Sequence, residues 1–125
     1  MANNKIFRFG PVALTTTLTT NILNPNITSV AGPVGFTMTQ PYIVLRHIRI
    51  VNKTGAAATA SLWLGATGAN AAGTEVIVQA TSIAANSFLD WYGILRIDSA
   101  DFIVGGSGTA TALSIEGEGE IGVSG

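Results

Sequence analysis

Apolar and polar residues alternate along most of this chain in short runs, and turn residues end each run before a helical period can establish itself. The pattern is clearest near the C-terminus. Over residues 109–123 the odd positions read Thr, Thr, Leu, Ile, Gly, Gly, Ile, Val, and the even positions read Ala, Ala, Ser, Glu, Glu, Glu, Gly. One face of a strand is therefore apolar and the other polar. A straight strand of that length would span roughly 50 Å, too far for a domain this small. Gly117 and Gly119 are expected to mark a bend or bulge and to leave room for an aromatic ring, with Trp91 or Phe88 as its source.

Similar reasoning marks out the other strands. Residues 43–51 predict a strand with Val44, Ile48 and Ile50 on one face, and Asn52-Lys53-Thr54-Gly55 predicts a hairpin turn. Residues 58–64 predict the return strand, with Ala60, Leu62 and Leu64 inward and Thr59, Ser61 and Trp63 on the other face. Further short strands are expected at 75–79, 87–91, 94–97 and 102–104, separated by turns at 84–86, Gly93 and 98–101. Residues 12–20 are β-branched and strand-like, while 21–41 read as a long loop with one short strand at most. The stretch 66–72 tempts a helix, but its glycines and Asn70 make it a loop, and Gly105 to Gly108 read as flexible. About eight strands result. The predicted class is all-β, a two-sheet antiparallel β-sandwich of jelly-roll-like order. Residues 1–11 form an extended N-terminal arm, docked on the chain's own domain or on a neighbour, and 12–125 form the sandwich.

Charge changes this picture most. Of 125 residues only 10% are Asp, Glu, Lys or Arg, against roughly 25% in an average domain. None occurs between Arg8 and Arg46 or between Lys53 and Glu75. Mean hydropathy is +0.45. Uncharged surface is cheap to bury, because no ion has to be stripped of water, so the composition predicts a surface covered by other protein. A neutral coat of Thr, Asn and Ser is the alternative. Pro25, Pro33 and Pro41 interrupt the uncharged stretches, so no run of about 18 apolar residues can cross a bilayer. The N-terminus lacks the apolar region of a secretory signal. The net charge of −1, without a basic cluster, predicts no nucleic-acid partner. There is no cysteine, hence no disulfide or thiolate metal site.

Candidate chemistry is sparse. His47 is the only histidine and has no motif-spaced partner; a solvent- or interface-facing strand histidine is the expectation. A site assembled from Asp90, Asp98, Asp101 and His47 has no sequence pattern to recommend it. No nucleophile elbow, phosphate loop or metal motif occurs, so no enzyme, cofactor or metal is predicted. Glu116, Glu118 and Glu120 share one strand face. They suit either a cation or a basic partner, or else a solvated edge that repels unwanted pairing. Trp63, Trp91 and Tyr92 suit either a sugar-stacking platform or anchors in a core or interface. Ile6, Phe7, Phe9 and Trp63 are the candidate interface residues, and Gly117 and Gly119 the candidate packing glycines.

One resemblance adds to this. Tyr42-Ile-Val-Leu-Arg-His-Ile-Arg-Ile-Val-Asn-Lys-Thr54 precedes Ala-Ser-Leu-Trp-Leu-Gly at 60–65. An Ala-Asn turn, a Trp-x-Gly corner at 91–93 and an acidic turn at 98–101 follow. Over about residues 42–123 this resembles the small β-sandwich virion structural proteins of tailed bacteriophages. The resemblance implies a capsid decoration or cement protein, non-enzymatic, located on the virion and assembled in the host cytoplasm. Its partners would be itself, as a homo-oligomer of which the trimer is a common form, and the major capsid protein or another virion protein. The alternative is a receptor- or carbohydrate-binding module of a phage tail or neck component.

Overall fold

The structure, a computed structural model, describes residues 5–23, 29–31, 37–39, 42–98 and 101–122. Strands in chain order are β1 (Lys5–Ala13), β2 (Asn21–Leu23), β3 (Ser29–Ala31), β4 (Thr37–Thr39) and β5 (Tyr42–Asn52), then β6 (Ala58–Gly65), β7 (Thr81–Ile83), β8 (Ser87–Ile97), β9 (Phe102–Ser107) and β10 (Leu113–Gly122). Two four-stranded antiparallel sheets form, in the orders β1-β10-β5-β8 and β2-β9-β6-β7, and β3 pairs with β4 in a separate hairpin. We term the four-stranded sheets A and B. The pairs β1·β10, β2·β9, β5·β8 and β6·β7 are nested, as in an antiparallel ribbon wound around a core. That winding is the jelly roll. The fold class expected from the sequence is the one observed.

The core lies between the sheets. Ile43, Leu45, Ile48, Ile50 and Ile115 of sheet A meet Ala60, Leu62 and Ile103 of sheet B in one buried cluster. Ala60 and Leu62 point inward as the alternation requires, and Leu64 packs against the cluster. In β5 the alternation slips. Ile43 and Leu45 are buried, and so are Ile48 and Ile50, although the two pairs are out of phase. Arg46 is an extra residue against β10, where Leu45 and His47 face the consecutive Gly119 and Glu118, whereas against β8 it stands opposite two residues, Gly93 and Ile94; β5 is bulged at this point. Val44, expected beside Ile48 and Ile50, faces outward instead.

Other expectations shift for local reasons. The strand-like residues 12–20 split between the end of β1 and a loop, because threonine hydroxyls there bond local backbone. Thr20 Oγ1 donates to Thr17 O at 2.6 Å, and Thr17 N donates to Thr15 Oγ1 at 3.3 Å. The strand expected at 75–79 is a tight turn in which Val78 N donates to Val76 O at 2.6 Å around Ile77, whose φ is 67°. Gly93 does not divide β8, and Gly105 and Gly106 lie buried inside β9. A Cβ on Gly105 would meet the Ser61 carbonyl, and one on Gly106 the Thr15 carbonyl, so both positions serve close backbone approach. The segment expected as an arm, 1–11, runs from Lys5 onward along β10 of its own domain; residues 1–4 lie outside the described residues. Within 21–41, the described residues are β2, β3 and β4.

Two glycines and an asparagine hold the sheets in register. Gly117 is packed by the ring of Phe9, on the adjacent strand β1, and not by Trp91 or Phe88. A Cβ on Gly119 would meet the Val44 carbonyl and would lie 2.8 Å from the Leu45 Cα. Asn52 is 1% exposed. Its amide donates to Ala56 O at 2.9 Å and Ile83 O at 3.0 Å, and its Oδ1 accepts from Thr54 N and Thr54 Oγ1. Replacing Asn52 by Ala should lower the free energy of unfolding in urea by about 2–4 kcal/mol, since buried partners lose their bonds. Gly117→Ala should cost about 1–3 kcal/mol as an overpacking change. Gly119→Ala should cost more than Gly117→Ala, because backbone, unlike a phenylalanine ring, cannot swing aside. Equal urea midpoints for the two glycine variants would refute that ranking.

Candidate functional site

Charge is partitioned between the sheets. The four strands of sheet B contain no charged residue, while those of sheet A carry Lys5, Arg8, Arg46, Arg49, Asp90, Arg96, Glu116, Glu118 and Glu120. Because side chains on a strand alternate, acidic residues of β10 and basic residues of β5 meet across the outer face of sheet A. Arg46 Nε donates to Glu120 Oε2 at 2.8 Å. Glu118 stands opposite His47, and Glu116 opposite Arg49. The glutamate triplet lies on an interior strand of the sheet and faces the basic residues of β5; it does not form a solvated edge. Among the described residues no group of three or more His, Asp or Glu is placed to hold a metal ion.

His47 sits at the centre of this face. Its Nδ1 is 2.9 Å from Glu118 Oε1 on β10, and its Nε2 is 2.9 Å from Asp90 Oδ1 on β8. Arg49 reaches the same aspartate through two bonds, Nε to Oδ1 at 2.7 Å and Nη2 to Oδ2 at 2.8 Å. The Tyr92 ring stacks on the imidazole with centroids 4.7 Å apart. Two carboxylates can both accept from one imidazole only when both ring nitrogens carry hydrogen. The geometry therefore selects the imidazolium. Asp90, then Glu118, holds the His47 pKa above its ordinary 6.5, against the opposing effect of burial. Arg49 and then His47 hold the Asp90 carboxyl down at about 2.

This arrangement ties three strands together and engages both imidazole nitrogens with carboxylates. Of the acids considered with His47, only Asp90 joins it. Asp98 accepts from Arg96 Nε at 2.7 Å, and Asp101 caps the turn by accepting from Asp98 N at 3.1 Å. The cluster was legible only in part. The sequence put Glu116, Glu118 and Glu120 on one strand face and His47 between Arg46 and Arg49, but nothing in it paired the two strands, and the bulge that turns Arg46 and His47 to the same side leaves no mark in a period-two pattern.

The candidate interface residues separate. Ile6 is 93% exposed on β1, whereas Phe9 is buried against Gly117. Phe7 pairs with Gly119 through its backbone, and its side chain lies outside the described ones. Trp63 is buried beneath the 66–74 loop, and its Nε1 donates to Ala71 O at 2.9 Å. Of the three rings considered for a sugar platform, Trp91 is half-buried against the core and only Tyr92 is open. No family model matches the chain, and no curated protein matches it.

The raised His47 pKa fixes the sign of a pH effect. Stability from this group is fully present below the unfolded value near 6.5 and is lost as pH rises through the folded value. His47→Gln should therefore destabilise more at pH 5.5 than at pH 9, by urea denaturation at both. In Asp90→Asn, the midpoint of the His47 ring titration followed by NMR should fall toward 6.5; an unmoved midpoint would show that Asp90 does not set it.

Proposed function

We propose that this chain is a non-enzymatic virion structural protein of a tailed bacteriophage, a capsid decoration or cement protein that self-associates and binds the capsid shell. The observation that carries this reading is the division of charge. One sheet bears a self-neutralised lattice of acids and bases, and the strands of the other bear no charge at all. The loops against sheet B carry one charge, Glu75: Thr15 and Thr20 carbonyls accept from Ser107 N and Gly105 N of β9, Ala71 covers Trp63, and Val76 and Val78 bond Leu62. A face of Thr, Ala and Gly can be pressed onto a protein lattice with no ion to desolvate. The jelly-roll winding, which recurs in shell-forming and lectin domains, and the resemblance over residues 42–123 support the same reading. Fold alone does not assign function.

A carbohydrate- or receptor-binding module has less support, since two of the three rings it would use are covered. The test is on purified particles. Density-gradient-purified virions from the phage encoding the chain should contain it in regular stoichiometry, with jelly-roll density on the shell by cryo-electron microscopy. Recovery of the chain solely in the unassembled fraction would overturn the proposal. Density confined to the tail or neck would move the chain to the alternative class.

A further inference from the structure

Two strands form the edges of sheet A, and they are not alike. β1 carries Lys5, Arg8 and Pro11, residues that discourage pairing with another strand. β8 has no lysine or proline, and its two charged residues, Asp90 and Arg96, lie three positions either side of Gly93. It is 11 residues long, and among the described residues no strand pairs with its outer edge. Among the described residues, three of the five exposed large hydrophobic side chains belong to it: Phe88 at 55%, Tyr92 at 71% and Ile94 at 70%. A long edge with exposed apolar side chains is a template for strand addition.

The order of residues along β8 specifies what would be added. Around Gly93 the strand is chemically self-complementary: Tyr92 mirrors Ile94, Trp91 mirrors Leu95, Asp90 mirrors Arg96, and Leu89 mirrors Ile97. The even-numbered members face outward with the charged lattice, while Leu89, Trp91 and Leu95 are half-buried and pack toward the core. In an antiparallel pair related by a two-fold axis, residue i meets residue j and residue j meets residue i. An axis at Gly93 would set exposed Tyr92 against Ile94 of the second copy, and Asp90 against Arg96. It would also continue the inward row of half-buried Leu89, Trp91 and Leu95 and buried Ile97 across the seam. Arg96 is available for this, because its pair with Asp98 is exposed, 62% on each side chain, and such pairs contribute little.

We propose that β8 is a homodimer seam, in which a second copy of this chain adds its own β8 antiparallel across a two-fold axis at Gly93. The seam would join two four-stranded sheets into one continuous sheet of eight. This inference rests on the self-association in the reading above and makes it specific. The contact is isologous, so it generates pairs, and a trimer would have to be built from some other surface.

Sedimentation velocity and covalent capture test it. The wild-type chain at micromolar concentration should sediment with twice the 12.8 kDa chain mass. Ile94→Lys and, separately, Arg96→Asp should weaken association at least tenfold with unchanged far-ultraviolet circular dichroism. Ile6→Lys, on the other edge, should leave association unaltered. The chain has no cysteine, so Tyr92→Cys combined with Ile94→Cys should yield a disulfide-linked dimer under mild oxidation, and Tyr92→Cys alone should not. Association that persists in Ile94→Lys, or failure of the double variant to cross-link, would overturn the seam while leaving self-association intact. A monomeric wild type would overturn self-association itself.

Discussion

The extra residue at Arg46 is the constraint on which sheet A depends. Without it, β5 would keep a single phase from Tyr42 to Asn52, and only one of the pairs Ile43 with Leu45 or Ile48 with Ile50 could enter the core. With it, both pairs are buried and Arg46 and His47 face outward together. The strand thereby contributes four large aliphatic side chains to the interior, each worth about 1.5–3 kcal/mol when fully buried. The same slip places the imidazole between a carboxylate of β10 and a carboxylate of β8. Core and charged face are two consequences of one irregularity.

Much of the architecture was legible because the signals were local and strong. The alternation in β6 and β10, the Asn52 turn and the acidic turn after β8 appear where the pattern puts them. Misreadings concentrate where a backbone event replaces alternation. Thr15, Thr17 and Thr20 look like strand residues, but their hydroxyls bond locally and make a loop. Gly105 and Gly106 read as slack, yet they are buried so that carbonyls of neighbouring segments can approach. Phe9 read as an arm residue because nothing in the sequence says that Gly117, more than a hundred positions away, leaves a place for its ring. The face around His47 needed the bulge and the strand order together, and only the shared face of Glu116, Glu118 and Glu120 was visible in the sequence.

Low charge content acquires a direction in the fold. Opposite charges are gathered on one sheet, where they neutralise each other across neighbouring strands: Glu118 with His47 and Asp90 with Arg49 in register, and Glu120 with Arg46 beside it. Exposed pairs of this kind add little stability individually, but they fix which strands may neighbour β5 by making any shift in register juxtapose like charges or leave acids unpaired. Burial of Trp63 and Phe9 shows that apolar character in the sequence was spent partly inside the chain. Among the described residues, the large apolar side chains left exposed are Leu18 and, on the two edges of sheet A, Ile6, Phe88, Tyr92 and Ile94.

The cluster around His47 and the edge at β8 are mechanically linked. An edge strand is held from one side only, so β8 would ordinarily be the element of its sheet most prone to fray. Here Asp90 is gripped by Arg49 and His47, and Tyr92 is stacked on the imidazole, so outward side chains of β8 are tied back to β5 next to the bulge. Trp91 lies over Gly93 from the other face, where a Cβ would meet its ring at 2.6 Å. The strand is thus clamped above and below at its midpoint, and the exposed rows on either side of Gly93 are presented in a fixed geometry. Ordering an edge before association removes entropy that association would otherwise have to overcome. A charged face that looks catalytic at first sight, with a histidine between two acids, makes better physical sense as the fastening of an edge strand.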